Sequence, residues 1–422
     1  MTERRDKLVL EARDKLLTLC DPLAELKMID ALQRLGVSYH FKEEIDLKLH
    51  KLSSQKFDCE NLHGISLQFR LLRQDGCYMS CDVFQSFMQN QEDFEATMQR
   101  DARALLALYE ATHLGTPDEQ FLEDAQRKTT SLLKSRIDRL EKPLADKVKH
   151  ALETPCFRRM KILEARLYIL LYQEDTEECN ETLDELAKLN FYLLQRLYRE
   201  EVREICEWYY EKESPRRLFY ARHRPVESYF WALGVYYEPQ YAKARKFLAK
   251  FIATITPYDD TFDNYGVWEE LQPFANVMQR WDMKEVEQLG ECYEDYARFM
   301  FGTMIEIENA LPKDIATRNV NFIKNILETE KNNVATVVTC YMKEYGTTKE
   351  VASEALWEVV ENAWKDMNKE FLTMTDIPSS LLIRVINLAR MMETMYKEID
   401  GYTDSAILKN RISLLLEQPM TF

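Results

Sequence analysis

Glycine is scarce in this chain, 10 of 422 residues, about a third of ordinary usage, and proline adds only 12. Sheets and hairpins need frequent tight turns built on those residues, so their shortage argues against a strand-rich fold and for long helices, an all-α protein. The nine cysteines (Cys20, Cys59, Cys77, Cys81, Cys156, Cys179, Cys206, Cys292 and Cys340) are odd in number and scattered, with no C-x-x-C pair. That pattern excludes a disulfide frame and fits reduced thiols. Six histidines contain no H-E-x-x-H, so a zinc site has no support. No run of about 18 uninterrupted apolar residues exists, so no membrane span is expected. Positive charge is short as well: the net charge is -16 and the pI near 5.1, which disfavours nucleic acid or an anionic membrane surface as partner. An anionic substrate would have to be met locally, by metal ions or arginines.

What the chain does have is helical period almost throughout. Leu186, Leu189, Leu193 and Leu197 step by three and four along one face, and Leu381 to Met395 reads as a second, largely buried helix. The length exceeds what one core supports, since single cores stop growing near about 250 to 300 residues. Breaks are few: Asp75-Gly76, Gly115-Thr116-Pro117, Ser214-Pro215, Leu311-Pro312 and Asp400-Gly401. We place the boundary between two helical domains, 1–184 and 185–422, just before the Leu186 helix.

The most informative stretch is Asp259-Asp260-Thr261-Phe262-Asp263, three carboxylates in five residues closing the apolar run Lys246 to Tyr258. On a helix Asp259 and Asp263 share a face, with Asp260 turned a little aside. Carboxylates so crowded repel unless a hard divalent cation sits between them; Mg2+ takes one or two, keeps waters and completes its shell with phosphate oxygens. The bland alternative is a solvated acidic helix end. Upstream, Arg222-His223-Arg224 precedes a helical segment from Val226 to Tyr237. The planar fork of arginine matches phosphate oxygens in pairs, although with Arg216 and Arg217 nearby the segment also reads as a plain basic loop.

Six blocks in order, Leu35-Gly36-Val37-Ser38-Tyr39-His40-Phe41, Phe69 to Gln74, Tyr229 to Val235, Asp259 to Asp263, Gln279-Arg280-Trp281-Asp282 and Cys340 to Gly346, make the chain similar to plant class I terpene synthases. It resembles most the sesquiterpene synthases of the germacrene, cadinene and aristolochene synthase kind. The resemblance implies an N-terminal helical barrel without chemistry of its own and a C-terminal bundle that binds a prenyl diphosphate. It further implies Mg2+ (or Mn2+) held by Asp259, Asp260 and Asp263, and departure of diphosphate assisted by Arg222 and Arg224. Trp231 resembles the tryptophan of the pocket floor, while Tyr396, Asp400 and Tyr402 resemble the aromatic and acidic group at the bundle mouth. Residue by residue the alternatives are ordinary packing for Trp231 and Tyr402 and a simple turn for the D-G-Y segment. The implied activity is that of a lyase ionising farnesyl diphosphate and releasing a sesquiterpene, in a monomeric, cytoplasmic enzyme.

Departures from the family pattern are equally specific. The second metal motif should precede Val334-Ala335, where Val320, Asn321, Lys324 and Glu328 stand and only the glutamate matches. Between Tyr296 and Ile323 the chain is much shorter than the pattern, so helices between the two metal motifs are expected to be missing. Pro257 lacks a donor N–H and crowds the Ala253 carbonyl, predicting a kink just before the clamp. Met1 opens close to the first shared helix, without the family's arginine-tryptophan segment and without a transit segment, which favours a cytosolic fifteen-carbon substrate. Two other classes compete: a non-catalytic helical copy or shortened transcript lacking one metal site, and a metal-dependent phosphohydrolase that would not need the aromatic blocks.

Overall fold

The computed structural model describes residues 1–55, 61–84, 101–212, 217–310, 337–397 and 400–420. Among the described residues there are seventeen α-helices and no strand. They are α1 (Thr2–Thr18), α2 (Pro22–Arg34), α3 (Lys42–Ser53), α4 (Leu62–Gln74), α5 (Ala102–Thr112), α6 (Gln120–Arg136), α7 (Leu144–Glu153) and α8 (Lys161–Glu174), then α9 (Glu181–Glu211), α10 (Pro225–Val235), α11 (Ala242–Asp260), α12 (Trp268–Arg280), α13 (Glu291–Asn309), α14 (Val337–Tyr345), α15 (Lys349–Thr373), α16 (Ser379–Tyr396) and α17 (Ala406–Leu416).

Helix starts follow from local chemistry. Asp21, Asn61 and Asp101 cap α2, α4 and α5 by accepting the otherwise orphaned amides of Ala24, Gly64 and Ala104, and Pro22 and Pro225 open α2 and α10 where a missing N–H costs nothing. Gly36 ends α2 at φ 71°, and a Cβ there would stand 2.7 Å from that of Ala165 on α8, so the turn demands glycine twice over.

The chain packs into two compact units, neither of them a single consecutive stretch. Unit 1 takes Met1–Gln195 together with Trp357–Glu398 and Ser413–Phe422; unit 2 takes Arg196–Leu356 with Ile399–Ile412. In unit 1 the core of Ile65, Phe69, Leu105, Leu108, Leu122 and Phe157 is completed by Trp364 and Phe371 of α15 and Ile386 of α16. Polar ties fix those late helices: Arg158 forks onto Glu361 at 2.5 and 2.7 Å, and Arg390 Nε donates to the Phe157 carbonyl at 2.5 Å. Asn368 Nδ2 spans the carbonyls of His113 and Gly115.

Unit 2 is organised by an aromatic core of Tyr209, Tyr258, Phe274, Tyr293, Tyr296 and Phe299. A buried ion pair joins its first helices. Arg245 of α11 forks onto Glu201 of α9 at 2.7 Å for each bond, and Tyr229 of α10 donates to the same carboxylate at 2.9 Å. Two carbonyls, Tyr236 and Glu238, take up the Arg245 Nη1 protons, so no buried donor of that group goes wasted.

Candidate active site

The last turn of α11 carries the clamp, and the chain runs through Pro257 as helix up to Asp260 before widening into a π-turn, Thr261–Tyr265. The disturbance predicted at Pro257 therefore emerges as a change of pitch four residues later, where Thr261 Oγ1 donates back to the Pro257 carbonyl at 2.6 Å. Gly266 closes the turn with its amide on the Thr261 carbonyl; a Cβ at Gly266 would collide with Leu271 at 2.4 Å. Tyr220 clamps the same turn from outside. Its hydroxyl bonds Thr261 Oγ1 at 2.8 Å and its ring stacks on Tyr265 at 3.7 Å and 4°.

The three aspartates take different stations. Asp260 faces inward, only 2 % exposed, with Oδ1 accepting from Arg222 Nε and Oδ2 from the Arg222 amide, both at 2.6 Å. Asp259 is about half exposed and holds Arg222 Nη2 at 2.8 Å through Oδ2. Asp263 is exposed on the π-turn, and no hydrogen bond or ion pair engages it among the described residues. Burial and then the neighbouring Asp263 charge push the Asp259 carboxyl up from its ordinary range, against the pull of Arg222. Asp259 and Asp263 thus form an under-compensated pair of hard oxygen donors, while Asp260 serves to seat an arginine.

The two arginines lie in the loop leading to α10. Burial works against the Arg222 charge, but Asp260 and Asp259 outweigh it and raise its pKa. Arg224 donates through Nη2 to the Thr403 carbonyl at 3.2 Å and approaches Glu227 at 3.8 Å. Its Nε is buried with no acceptor among the described residues, the kind of orphan N–H that an anion's oxygen would satisfy. His223, between them, turns the other way to meet the Tyr209 hydroxyl at 3.0 Å.

The segment after residue 399 brings the remaining group. Asp400 Oδ1 accepts the amides of Tyr402 and Thr403 at 3.0 and 2.9 Å, so its carboxylate organises a turn. That turn presses Tyr402, 7 % exposed, beneath α10 and α11, where its hydroxyl meets Ser228 at 3.1 Å and Thr256 at 2.7 Å. Burial raises the phenol's pKa. Trp231, half-buried on α10, stands edge-to-face with the Tyr402 ring at 5.4 Å, and the Arg222 guanidinium lies 6.0 Å from the centre of that ring.

Unit 2 thus brings together Arg222, Arg224, Trp231, Asp259, Asp260, Asp263, Asp400 and Tyr402. Tyr396 belongs to unit 1, 39 % exposed along an apolar groove of about 400 Å3 with Trp357, Trp364, Met367 and Met392. Val320, Asn321, Lys324 and Glu328 lie outside the described residues, as does Arg216. Sequence reasoning missed Ser228, Thr256 and Thr403. The only sequence signal for Thr403 was its place three residues after Asp400, the spacing at which an aspartate caps a turn.

Comparison with known proteins bears on the family to which the chain belongs. Residues 1–152 match the terpene synthase N-terminal domain, and residues 210–329 and 326–366 match the metal-binding domain of the terpene synthase family. The (+)-delta-cadinene synthase isozyme XC1 of Gossypium arboreum is 34 % identical over 506 residues, covering 99 % of this chain and 91 % of that protein. The (-)-germacrene D synthase of Vitis vinifera is 33 % identical, covering 97 % of this chain and 89 % of its own. An alignment of 506 positions against a chain of 422 means that the cadinene synthase carries internal residues this chain lacks. Among solved structures, grey poplar isoprene synthase with three Mg2+ ions and dimethylallyl-S-thiolodiphosphate superposes with a TM-score of 0.87 at 26 % identity, covering 99 % of this chain and 97 % of that one. Limonene synthase with 2-fluorolinalyl diphosphate gives 0.89 at 25 % identity, covering 100 % and 95 %. With this likeness running through nearly all of the sequence and structure, the chain belongs to the terpene synthase family.

Proposed function

We propose that this protein is a magnesium-dependent sesquiterpene synthase that ionises farnesyl diphosphate and releases diphosphate and a sesquiterpene. The observation that carries the proposal is the under-compensated pair Asp259 and Asp263, set beside two arginines and an aromatic wall. Two carboxylates with no third acidic, cysteine or histidine ligand among the described residues suit an ion that keeps waters and takes substrate oxygens, as Mg2+ does and Mn2+ can. When bound, the ion supplies Lewis-acid stabilisation of the charge on the departing diphosphate.

The chain's own residues have distinct tasks. Arg224 offers its buried, unanswered Nε–H to a phosphate oxygen, and Arg222, seated by Asp260, sets a second permanent positive charge beside it. Both act where negative charge grows as the carbon–oxygen bond breaks, and both are oriented beforehand. The rings of Trp231 and Tyr402 give the allylic cation a polarisable, water-poor surface; the Tyr402 ring already has a guanidinium 6.0 Å from its centre. Asp400 is placed to order the turn that delivers Tyr402.

The match of the metal-binding domain model across residues 210–329 and 326–366 supports an active enzyme over an impaired copy, and the names of the relatives support a fifteen-carbon substrate. The family-domain matches leave the join between domains within 153–209, which accommodates a boundary near Asp184. We place the protein in the cytoplasm as a monomer; among the described residues no helix is long and apolar enough to cross a membrane. Incubation of purified protein with Mg2+ and farnesyl diphosphate, followed by analysis of volatiles, tests the assignment. A hydrocarbon dependent on added metal is expected. No product at high enzyme concentration would return the impaired copy to favour, and free phosphate without hydrocarbon would favour a hydrolase.

A further inference from the structure

We propose that Thr403 is a positioning residue of the diphosphate site, a point at which both arginines of the Arg222-His223-Arg224 segment are held. The inference rests on the functional reading above and adds a residue that neither motif nor resemblance singled out.

Three bonds converge on this threonine. Arg222 Nη1 donates to Thr403 Oγ1 at 2.6 Å, Arg224 Nη2 donates to the Thr403 carbonyl at 3.2 Å, and Thr403 Oγ1 lies 2.8 Å from Asp400 Oδ2. Their directions are fixed by chemistry. A guanidinium cannot accept, so the hydroxyl must receive the Arg222 proton and spend its own on Asp400. Asp400 receives only donors, the amides of Tyr402 and Thr403 and this hydroxyl, an arrangement that suits the ionised carboxylate. The polarised chain Asp400, Thr403, Arg222 then ends on Asp259 and Asp260.

The consequence is orientational. Without the Thr403 hydroxyl, Arg222 keeps its bonds to the two aspartates but its Nη1 loses the one acceptor it has among the described residues, so that end of the fork is less firmly held. Arg224 keeps the carbonyl contact only while the turn stays in place. Among the described residues the bonds of Thr403 run to Arg222, Arg224 and Asp400 and not to the carboxylate pair, so its effect on reaction passes through the arginines.

The test compares wild type with Thr403→Val, which removes the hydroxyl at nearly constant shape, Thr403→Ala as a smaller deletion, and Thr403→Ser as the conservative rescue. Binding of inorganic pyrophosphate in the presence of Mg2+ is measured by calorimetry, KM and kcat with farnesyl diphosphate by product release, and folding by thermal melting. Loss of a hydrogen bond to a charged group weakens pyrophosphate binding roughly 10-fold or more in Thr403→Val. KM is expected to rise with little change of melting temperature, and Thr403→Ser is expected to restore affinity. If the valine variant does not fold, Thr403→Ala decides by the same readings. Wild-type pyrophosphate affinity together with unchanged KM and kcat in the folded variants overturns the proposal. A serine variant as impaired as the valine one also overturns it. Pyrophosphate binding that responds to Thr403 in a protein that makes no hydrocarbon upholds the positioning role while removing the synthase assignment. A wild-type protein that binds no pyrophosphate with Mg2+ removes both.

Discussion

Unit 1 answers its buried carboxylates with cations, whereas the site in unit 2 leaves two more exposed ones in deficit. In unit 1, Glu164 is 3 % exposed and fully answered, with Arg34 at 2.9 and 3.0 Å on one oxygen and Arg159 at 2.7 Å on the other. Burial alone would raise that carboxyl, yet Arg159 and Arg34 hold it well below the usual carboxylate range. Asp175 follows the same pattern: burial opposes its charge, but bonds from Arg103 and Lys147 bring it to about 2. In unit 2, Asp259 is pushed the other way, and its neighbour Asp263 has no partner among the described residues. Charges that are compensated within the fold hold it together, whereas charges left in deficit are available to a ligand.

The contrast predicts separable effects. Asp259→Asn should lower kcat/KM by roughly 10^3-fold, on the scale of losing a preorganised charge-stabilising group, while leaving the melting temperature no lower than wild type, because it relieves repulsion. Product assay and calorimetry on the same preparation check this; a large loss of stability would place Asp259 among the structural ions. Glu164→Gln is the converse. It strands two arginines and should destabilise unit 1 by about 3–5 kcal/mol, measured by urea unfolding.

Acid should reveal unit 1 next. Burial, then the Arg159 charge, lowers the His150 imidazole from its ordinary 6.5 to about 4. The unfolded chain therefore takes up the proton first, and stability is lost as the pH falls from about 6.5 towards 4. Urea midpoints at pH 7, 5.5 and 4.5 should decline in that interval, and His150→Leu should flatten the decline. The smallest effect is expected of Tyr402→Phe. Ser228 and Thr256 keep bonds to the carbonyls of Arg224 and Ile252, so the cost should be about 1 kcal/mol in melting experiments, with Mg2+-dependent turnover preserved.

The helical class was legible because scarce glycine and proline leave few other options, and the clamp was legible because three carboxylates in five residues are crowded on any backbone. The different stations of those carboxylates were not. That Asp260 turns inward depends on Arg222 approaching from a loop 38 positions upstream, and the π-turn that carries Asp263 depends on Tyr220, Pro257 and Gly266 acting together. Ser228, Thr256 and Thr403 were invisible for a plainer reason: small hydroxyl residues are common and usually bond only within their own helix or turn, and it is the approach of residues 400–403 to α10 and α11 that adds partners distant in sequence. Nor does local periodicity announce that α15 and α16 supply Trp364, Phe371 and Ile386 to a core begun by α4 and α5, because that pairing is a matter of distance along the chain.

That last feature bears on how the protein emerges from the ribosome. A chain is synthesised at roughly 5–20 residues per second, and early domains ordinarily fold while later ones are still being made. Here the opening helices wait for residues 357–398 before their apolar interior is closed. Throughout most of translation the nascent chain must keep a half-built greasy surface exposed, which makes it a natural client for chaperones during elongation.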